Sequence, residues 1–237
     1  MCSRRFVVRE AALHEFDDIR KFYEKYPDPH VMLRSEDAVK HAIREGIFVL
    51  AIDTSKSDED RIFGASAVYT IYADRDSGSK IALKEAGSSN VVKEYRGFRL
   101  HPIFHWSRAL HEFLLDRNGF ETYFGAIISP NEISEKNIKK ACFTEWASPP
   151  PSLVRERMPL APENHEIKYY RLDPKELVNH AKWLLTAEAR GVVSRDLEDG
   201  THETVPITLD LQVLRRYRKA LQQLADGDTT TLQLGRK

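Results

Sequence analysis

Short β-branched runs alternate along this chain with stretches of helical period, and this alternation constrains the fold more than any other feature. The first run, Phe6-Val7-Val8-Arg9, reads as a strand, and residues 11–26 then carry Leu13, Phe16, Ile19, Phe22 and Tyr23 at helical spacing. Pro27 and Pro29 stop that helix, and Ser35 with Asp37 opens a second one that ends near Gly46. Strands are expected at 48–52 and 62–72, separated by a polar octet from Asp53 to Asp60 that reads as a turn or loop. Strands at 87–92, 122–128, 143–147 and 167–172, with helices at 102–119 and 134–141, complete the order β-α-α-β-β-β-α-β-α-β-β. Interleaving of this kind specifies an α/β arrangement around a mixed sheet. Pro149-Pro150-Pro151 opens what reads as an extended connector reaching Pro162, because consecutive prolines favour polyproline geometry.

The texture changes at Asp173. Residues 174–189 are helical by pattern, 191–211 read as a hairpin turning at Asp199-Gly200, and 211–224 form a second amphipathic helix carrying Arg215, Arg216, Arg218 and Lys219. The 237 residues therefore divide into a main domain at 1–172 and a C-terminal helix-hairpin-helix extension at 173–237, with a frayed end from Asp226 onwards. Lys+Arg and Asp+Glu both number 36, so no overall field exists to hold a polyanion or an anionic membrane, and nucleic acid is not an expected partner. With 41% hydrophobic and 30% charged residues and a mean hydropathy of −0.49, the composition excludes both a disordered tail and a membrane protein. The longest purely apolar run, 47–52, is a strand's length, and no apolar segment follows the first arginines, so no secretion signal is expected. Cys2 and Cys142 are too few and too far apart for a disulfide scaffold or zinc cage, which makes a reducing cytoplasm the expected location.

The stretch from Glu85 to His101 carries the chemistry. A strand that empties into a tight loop opening a helix, with Pro102 at its start, directs backbone N–H groups and the positive helix end at one point, which suits a pyrophosphate. The loop Glu94-Tyr95-Arg96-Gly97-Phe98-Arg99-Leu100-His101 resembles the acyl-CoA loop of the GCN5-related N-acetyltransferase (GNAT) superfamily, whose pattern is Arg/Gln-x-x-Gly-x-Gly/Ala. Asn131, with Ser134 and Phe143 after it, resembles the superfamily's Asn-to-Gly-Phe segment in the same order. The resemblance covers residues 5–172.

It implies a central mixed sheet, splayed where the fourth and fifth strands part to admit a pantetheine arm. It also implies transfer of an acetyl or other short acyl group from acetyl-CoA, or another acyl-CoA, to the primary amine of a small molecule or peptide by direct attack, with no metal. On that basis the backbone of Arg96, Gly97, Phe98, Arg99, Leu100 and His101 holds the pyrophosphate, Val91 and Val92 line the thioester, and Asn131 and Ser134 contact the pantetheine arm. Glu85, on the same strand, is the candidate general base. The sequence departs from the pattern at Arg99 and His101, which take the glycine positions of the loop. Cys142 stands where Gly precedes Phe, and Ile138 where many relatives place a thiolate-protonating tyrosine. No general acid therefore carries over, and an acyl-CoA-binding or protein-interaction module without turnover stands as the alternative.

Each of these residues also has a plainer reading. Glu85 can be an ordinary strand-end carboxylate, and Cys142 a small packed hydrophobe rather than a nucleophile. His101 and His105, one helical turn apart, fit a capping or hydrogen-bonding role better than a metal site. The basic run at 215–219 can touch nucleic acid or a ribose phosphate, or be the solvated side of its helix. Trp183 and Tyr217 mark the extension as a candidate surface for homodimerisation or partner docking. Asp17, Asp18 and the acidic loop at 58–60 would favour a cationic acceptor.

Overall fold

The computed structural model describes residues 4–32, 34–74, 78–115, 120–157 and 165–230. β1 (Phe6–Glu10) leads into α1 (Phe16–Lys25) and α2 (Glu36–Arg44), followed by β2 (Phe48–Asp53), β3 (Ile62–Asp74), β4 (Lys80–Val91) and α3 (Leu100–Leu115). Then come β5 (Thr122–Ser129), α4 (Glu132–Lys140), β6 (Phe143–Glu145), α5 (Pro151–Arg157) and β7 (Glu166–Leu172). The chain closes with α6 (Leu177–Arg190), β8 (Val192–Asp196), β9 (His202–Asp210), α7 (Gln212–Arg216) and α8 (Arg218–Ala225).

Among the described residues the strands form one sheet in the order β6-β7-β5-β4-β3-β2-β1-β9-β8. β4 runs parallel to β5 and β1 parallel to β9, while the other neighbours are antiparallel. Successive side chains of a strand point to opposite faces, and β4 shows which elements cover which. Lys84 reaches Glu112 of α3 at 2.8 Å, whereas Glu85 turns to Arg34, before α2, and Arg157, at the end of α5. The sheet is thus covered on both sides around β4, and β2 is buried along its whole length.

Three expectations are corrected. β4 begins at Lys80 rather than near residue 87; its first half escaped notice because Lys84 and Glu85 are charged residues buried by ion pairing instead of apolar ones. The proline run does not stay extended, since Pro151 starts α5, where a missing N–H at the first helical position leaves no bond unmade. The last helix is broken at Tyr217 into α7 and α8. The expected end of α3 at Asn118-Gly119, the Pro162 end of the connector and the 231–237 part of the frayed tail lie outside the described residues.

The segment after Asp173 completes this sheet and its core. β9 lies beside β1 in register from Phe6↔Ile207 to Arg9↔Asp210. Leu177, Ala181 and Leu184 of α6 and Leu221 and Leu224 of α8 are fully buried in the same cluster as Phe6, Leu50 and Phe104. The amphipathic faces read as docking surfaces are therefore spent on the molecule's own core, and Trp183 rests against Trp106 of α3 with ring centroids 5.3 Å apart. In the basic run, Arg215 pairs with Asp210 and Glu10, and Arg218 with Glu188. No helix among the described residues is long and apolar enough to cross a membrane.

Candidate functional site

β4 and β5 pair only over residues 83–86 and 122–125. Beyond that point β5 stays with β7 as far as Ser129, whereas β4 slips its register against β3 between Ala65 and Ala67 and turns away. An extra residue on one strand bends it and breaks the ladder, so the two strands part into a notch. This is the splayed, helix-flanked mixed sheet that the resemblance implies.

The bend is firmly held. Ser88 sits at φ 50°, in the left-handed region that non-glycine residues seldom occupy. The Tyr69 hydroxyl donates to its Oγ at 2.9 Å, and the Tyr23 hydroxyl donates to its carbonyl at 2.5 Å. Under the bend lies Arg108 of α3, 1% exposed, which donates to the carbonyls of Phe104, Ala67 and Gly87 and to Ser89 Oγ and makes no salt bridge to a carboxylate among the described residues. Burial lowers the pKa of this guanidinium from its ordinary value.

Two connected spaces follow the notch. The inner one is walled by Arg34, Gly87, Ser88, Gly125, Ala126 and Ile138, among others. The outer one, a cleft of about 930 Å³, runs over the loop before α3 and meets Arg96, Arg99, Lys140 and Trp183. Ser89, His101, Asn131, Ser134 and Asn137 line both, so one extended molecule can reach from the loop to the apex of the notch.

In the loop, Gly97 has φ 97° and Arg99 φ 58°. Arg99 thus holds the backbone form that a glycine would adopt freely, and the sequence departure leaves the loop's shape intact at a cost in strain. Phe98 and Leu100 point inward, 1% and 2% exposed, so their side chains anchor the loop and only their backbone can meet a ligand. Arg96 donates through Nε to the Val91 carbonyl at 3.1 Å and faces Asp28 at 3.5 Å. Burial, with Arg108 and Arg96 nearby, pushes the His101 imidazole down to a pKa of about 4, so it is neutral at pH 7. Burial, with Arg108, His101 and His180 nearby, also pushes the His105 imidazole well below its ordinary value. No group of three potential metal ligands occurs among the described residues.

The loop is also clamped from the C-terminal hairpin, a contact the sequence did not signal. Arg195 of β8 donates to the carbonyls of Glu94 and Arg96 and lies over the Phe98 ring at 4.5 Å. A Cβ on Gly97 would come within 3.2 Å of the Arg195 Cβ. Glu203 of β9 holds Arg195 at 2.7 Å and also pairs with Arg4, which reaches Asp53 and thereby the Tyr95 hydroxyl.

Several expected site residues shift in role. Val91 lines the outer cleft, but Val92 turns into the core and donates its N–H to the Phe63 carbonyl, so its side chain does not reach the notch. Asn131 accepts from the Ser134 N–H at 3.1 Å as the N-cap of α4, so the two residues are positioned together on the notch wall. Ile138 is 3% exposed and fills the space above Gly125, where an added Cβ would meet its Cδ1 at 2.5 Å. Cys142 has φ 62°, again a glycine-like conformation, and burial with Glu176 nearby pushes its thiol up to about 11, which leaves it protonated and poorly nucleophilic.

Glu85 is fully buried and both its oxygens are engaged. Arg34 donates to Oε1 at 2.7 Å and Arg157 to Oε2 at 2.6 Å. Neither an exposed strand-end carboxylate nor a free general base fits that geometry; Glu85 ties the segment before α2 and the end of α5 to β4. Sequence reasoning passed over Arg34 and Arg157, which stand in loop-like segments without pattern. Arg108 was findable, as a charge on the otherwise buried face of Phe104, Ser107 and His111.

No family profile and no curated protein matches the sequence. Among solved structures, the chain is similar to Arabidopsis thaliana NAA60 in complex with a bisubstrate analogue, with 10% identity and a TM-score of 0.47 over 70% of this chain and 96% of that one. It is similar to a chain of the NatC complex bound to Gag peptide and CoA, at 12% identity and a TM-score of 0.49 over 71% and 98%. Arabidopsis thaliana Naa50 in complex with the bisubstrate analogue CoA-Ac-MVNAL gives 15% identity and a TM-score of 0.49 over 71% and 98%.

Proposed function

We propose that this chain is an acyl-CoA-dependent N-acyltransferase that moves an acetyl or other short acyl group to a primary amine. The observation that carries the reading is the continuity of the notch: a phosphate-sized loop at a helix start opens, through shared walls, into a gap between two parted parallel strands. The outer cleft offers the N–H groups at the start of α3 with Arg96, Arg99 and Lys140, a setting for phosphates. Asn131 and Ser134 offer polar contacts to an amide-bearing arm, and Ala126, Ile127 and Ile138 offer an apolar inner wall. At the apex the amine nitrogen attacks the thioester carbon, the C–N bond forms and the C–S bond breaks. The amine's extra proton passes to water, and the departing thiolate is protonated from solvent. Glu85 takes no part as a base in this reading, because its oxygens are held by two guanidiniums.

A second reading, acyl-CoA binding without turnover, is favoured by Ile138, which is buried where an acid would stand. Titration calorimetry with acetyl-CoA and CoA, comparing wild type with Arg96→Glu and Arg99→Glu, tests the common part. Binding in about the micromolar range, weakened in both variants, is expected; absence of binding refutes both readings. An amine panel in the presence of acetyl-CoA then separates enzyme from binder.

A further inference from the structure

The end of the inner notch away from the phosphate loop carries an excess of positive charge. Arg34 lines it and is the only Asp, Glu, Lys or Arg to do so among the described residues. Its side chain is 9% exposed, and that of Arg157 behind it 8%, yet the two share the single carboxylate of Glu85. Among the described residues the trio thus holds two guanidiniums against one buried carboxylate, with the exposed Glu156 in electrostatic range of Arg157. Arg108, under the same bend, donates only to neutral acceptors among the described residues, with the Glu112 carboxylate in electrostatic range rather than in contact. Donors remain as well: among the described residues the Nε of Arg34 and of Arg157 are buried without a partner, as is the Tyr169 hydroxyl, which lies within electrostatic range of Arg157 and Glu85.

Folded chains seldom leave buried donors unmade, and a buried charge without a counter-charge is costly. A guanidinium whose fork is only partly used presents a planar pair of N–H groups, the geometry that fits a carboxylate. The acidic patches at Asp17, Asp18 and 58–60 are not on the notch wall, so the attraction to a cationic acceptor read from sequence does not reach the reacting end.

We infer that the acceptor is an amine that also carries a carboxylate, as an amino acid does, and that Arg34, backed by Arg157, binds this carboxylate. The inference rests on the acyltransferase reading above. It also gives the charge excess a use, since positive groups beside the bound amine favour its neutral, nucleophilic form.

Bisubstrate conjugates test it without requiring turnover. CoA is joined through an S-acetyl bridge to glycine, β-alanine or γ-aminobutyrate, and in parallel to the corresponding amides, and the affinities are measured by calorimetry beside plain CoA. At least one acid conjugate is expected to bind about tenfold or more tighter than its amide. Arg34→Gln should erase that preference and leave the affinity for plain CoA unchanged, which also reports that the variant is folded; Arg34→Lys should restore part of it. Amides that bind as tightly as their acids in wild type, or a preference that survives in Arg34→Gln, would overturn the inference while leaving the acyl-CoA reading intact. Failure of plain CoA to bind wild type would overturn both, and is distinguished by that arm alone.

Discussion

Replacing Glu85 by glutamine separates a structural clamp from a catalytic base. In the folded chain this carboxylate is fully buried and accepts from Arg34 at 2.7 Å and Arg157 at 2.6 Å. Glutamine keeps the shape and one acceptor oxygen but removes the only negative charge of the trio, leaving two guanidiniums facing each other in a poorly solvated place. Removing one partner of a buried ion pair costs about 3–5 kcal/mol, and the retained acceptor argues for the lower end. For a chain of this size that is a fall in Tm of roughly 6–12 °C. Thermal melts of Glu85→Gln, Arg34→Gln and the double variant measure it, with the double variant recovering about 1–3 kcal/mol through relief of the like charges. If Glu85→Gln melts within about 1 °C of wild type while acyl transfer collapses, the clamp carries no energy, Glu85 is the base, and the reasoning fails.

Three further outcomes follow from the geometry. Arg195→Ala removes two carbonyl contacts and the cation over Phe98 while leaving exposed carbonyls to water, so stability should drop by about 1 kcal/mol. Affinity for CoA should then fall several-fold, whereas acetyl-pantetheine, which lacks the pyrophosphate, should bind Arg195→Ala as it binds wild type; equal losses for both ligands would contradict a role for the hairpin in shaping the loop. His180, fully buried with Nε2 2.8 Å from the Ala141 carbonyl, is pushed by burial to a pKa of about 4 from 6.5. Its folded-state pKa is depressed, so the unfolded chain binds the extra proton between those values; its contribution, roughly 3 kcal/mol, is present above pH 6.5 and lost as pH falls towards 4. Urea midpoints across that range should slope steeply in wild type and less so in His180→Leu. Arg99→Gly relaxes a backbone at φ 58° and should gain about 1 kcal/mol relative to Arg99→Ala, read from melting curves, while both variants lose the cation from the outer cleft.

What could be read from the sequence follows the physics of each element. Strands such as β2 and β5 and helices such as α1 announce themselves because their burial is apolar and periodic. The first half of β4 does not, because Lys84 and Glu85 are buried by charge pairing with α3 and with distant arginines, which periodicity cannot report. The loop at 93–99 and the Asn131–Ser134 segment were legible as local patterns, although the N-cap that joins those two residues was not. Their real neighbours, Arg195 and Trp183, lie far along the chain, and pairing of that kind leaves no local trace. The same limit hid Arg34 and Arg157, whose meaning depends on meeting at one carboxylate.

The parallel pairing of the first strand with the last has a consequence for synthesis. β1 turns Phe6 and Val8 into the core, fully buried in the finished protein, and among the described residues its backbone partner on the side away from β2 is β9. While the chain emerges, everything from β1 to β7 can assemble before that partner exists, and an unpaired apolar edge is a template for other strands. Fragments that end before β9 will therefore associate with one another through β1, and in them Arg195 of β8 will lack both its paired strand and the Glu203 carboxylate that holds it over the site loop.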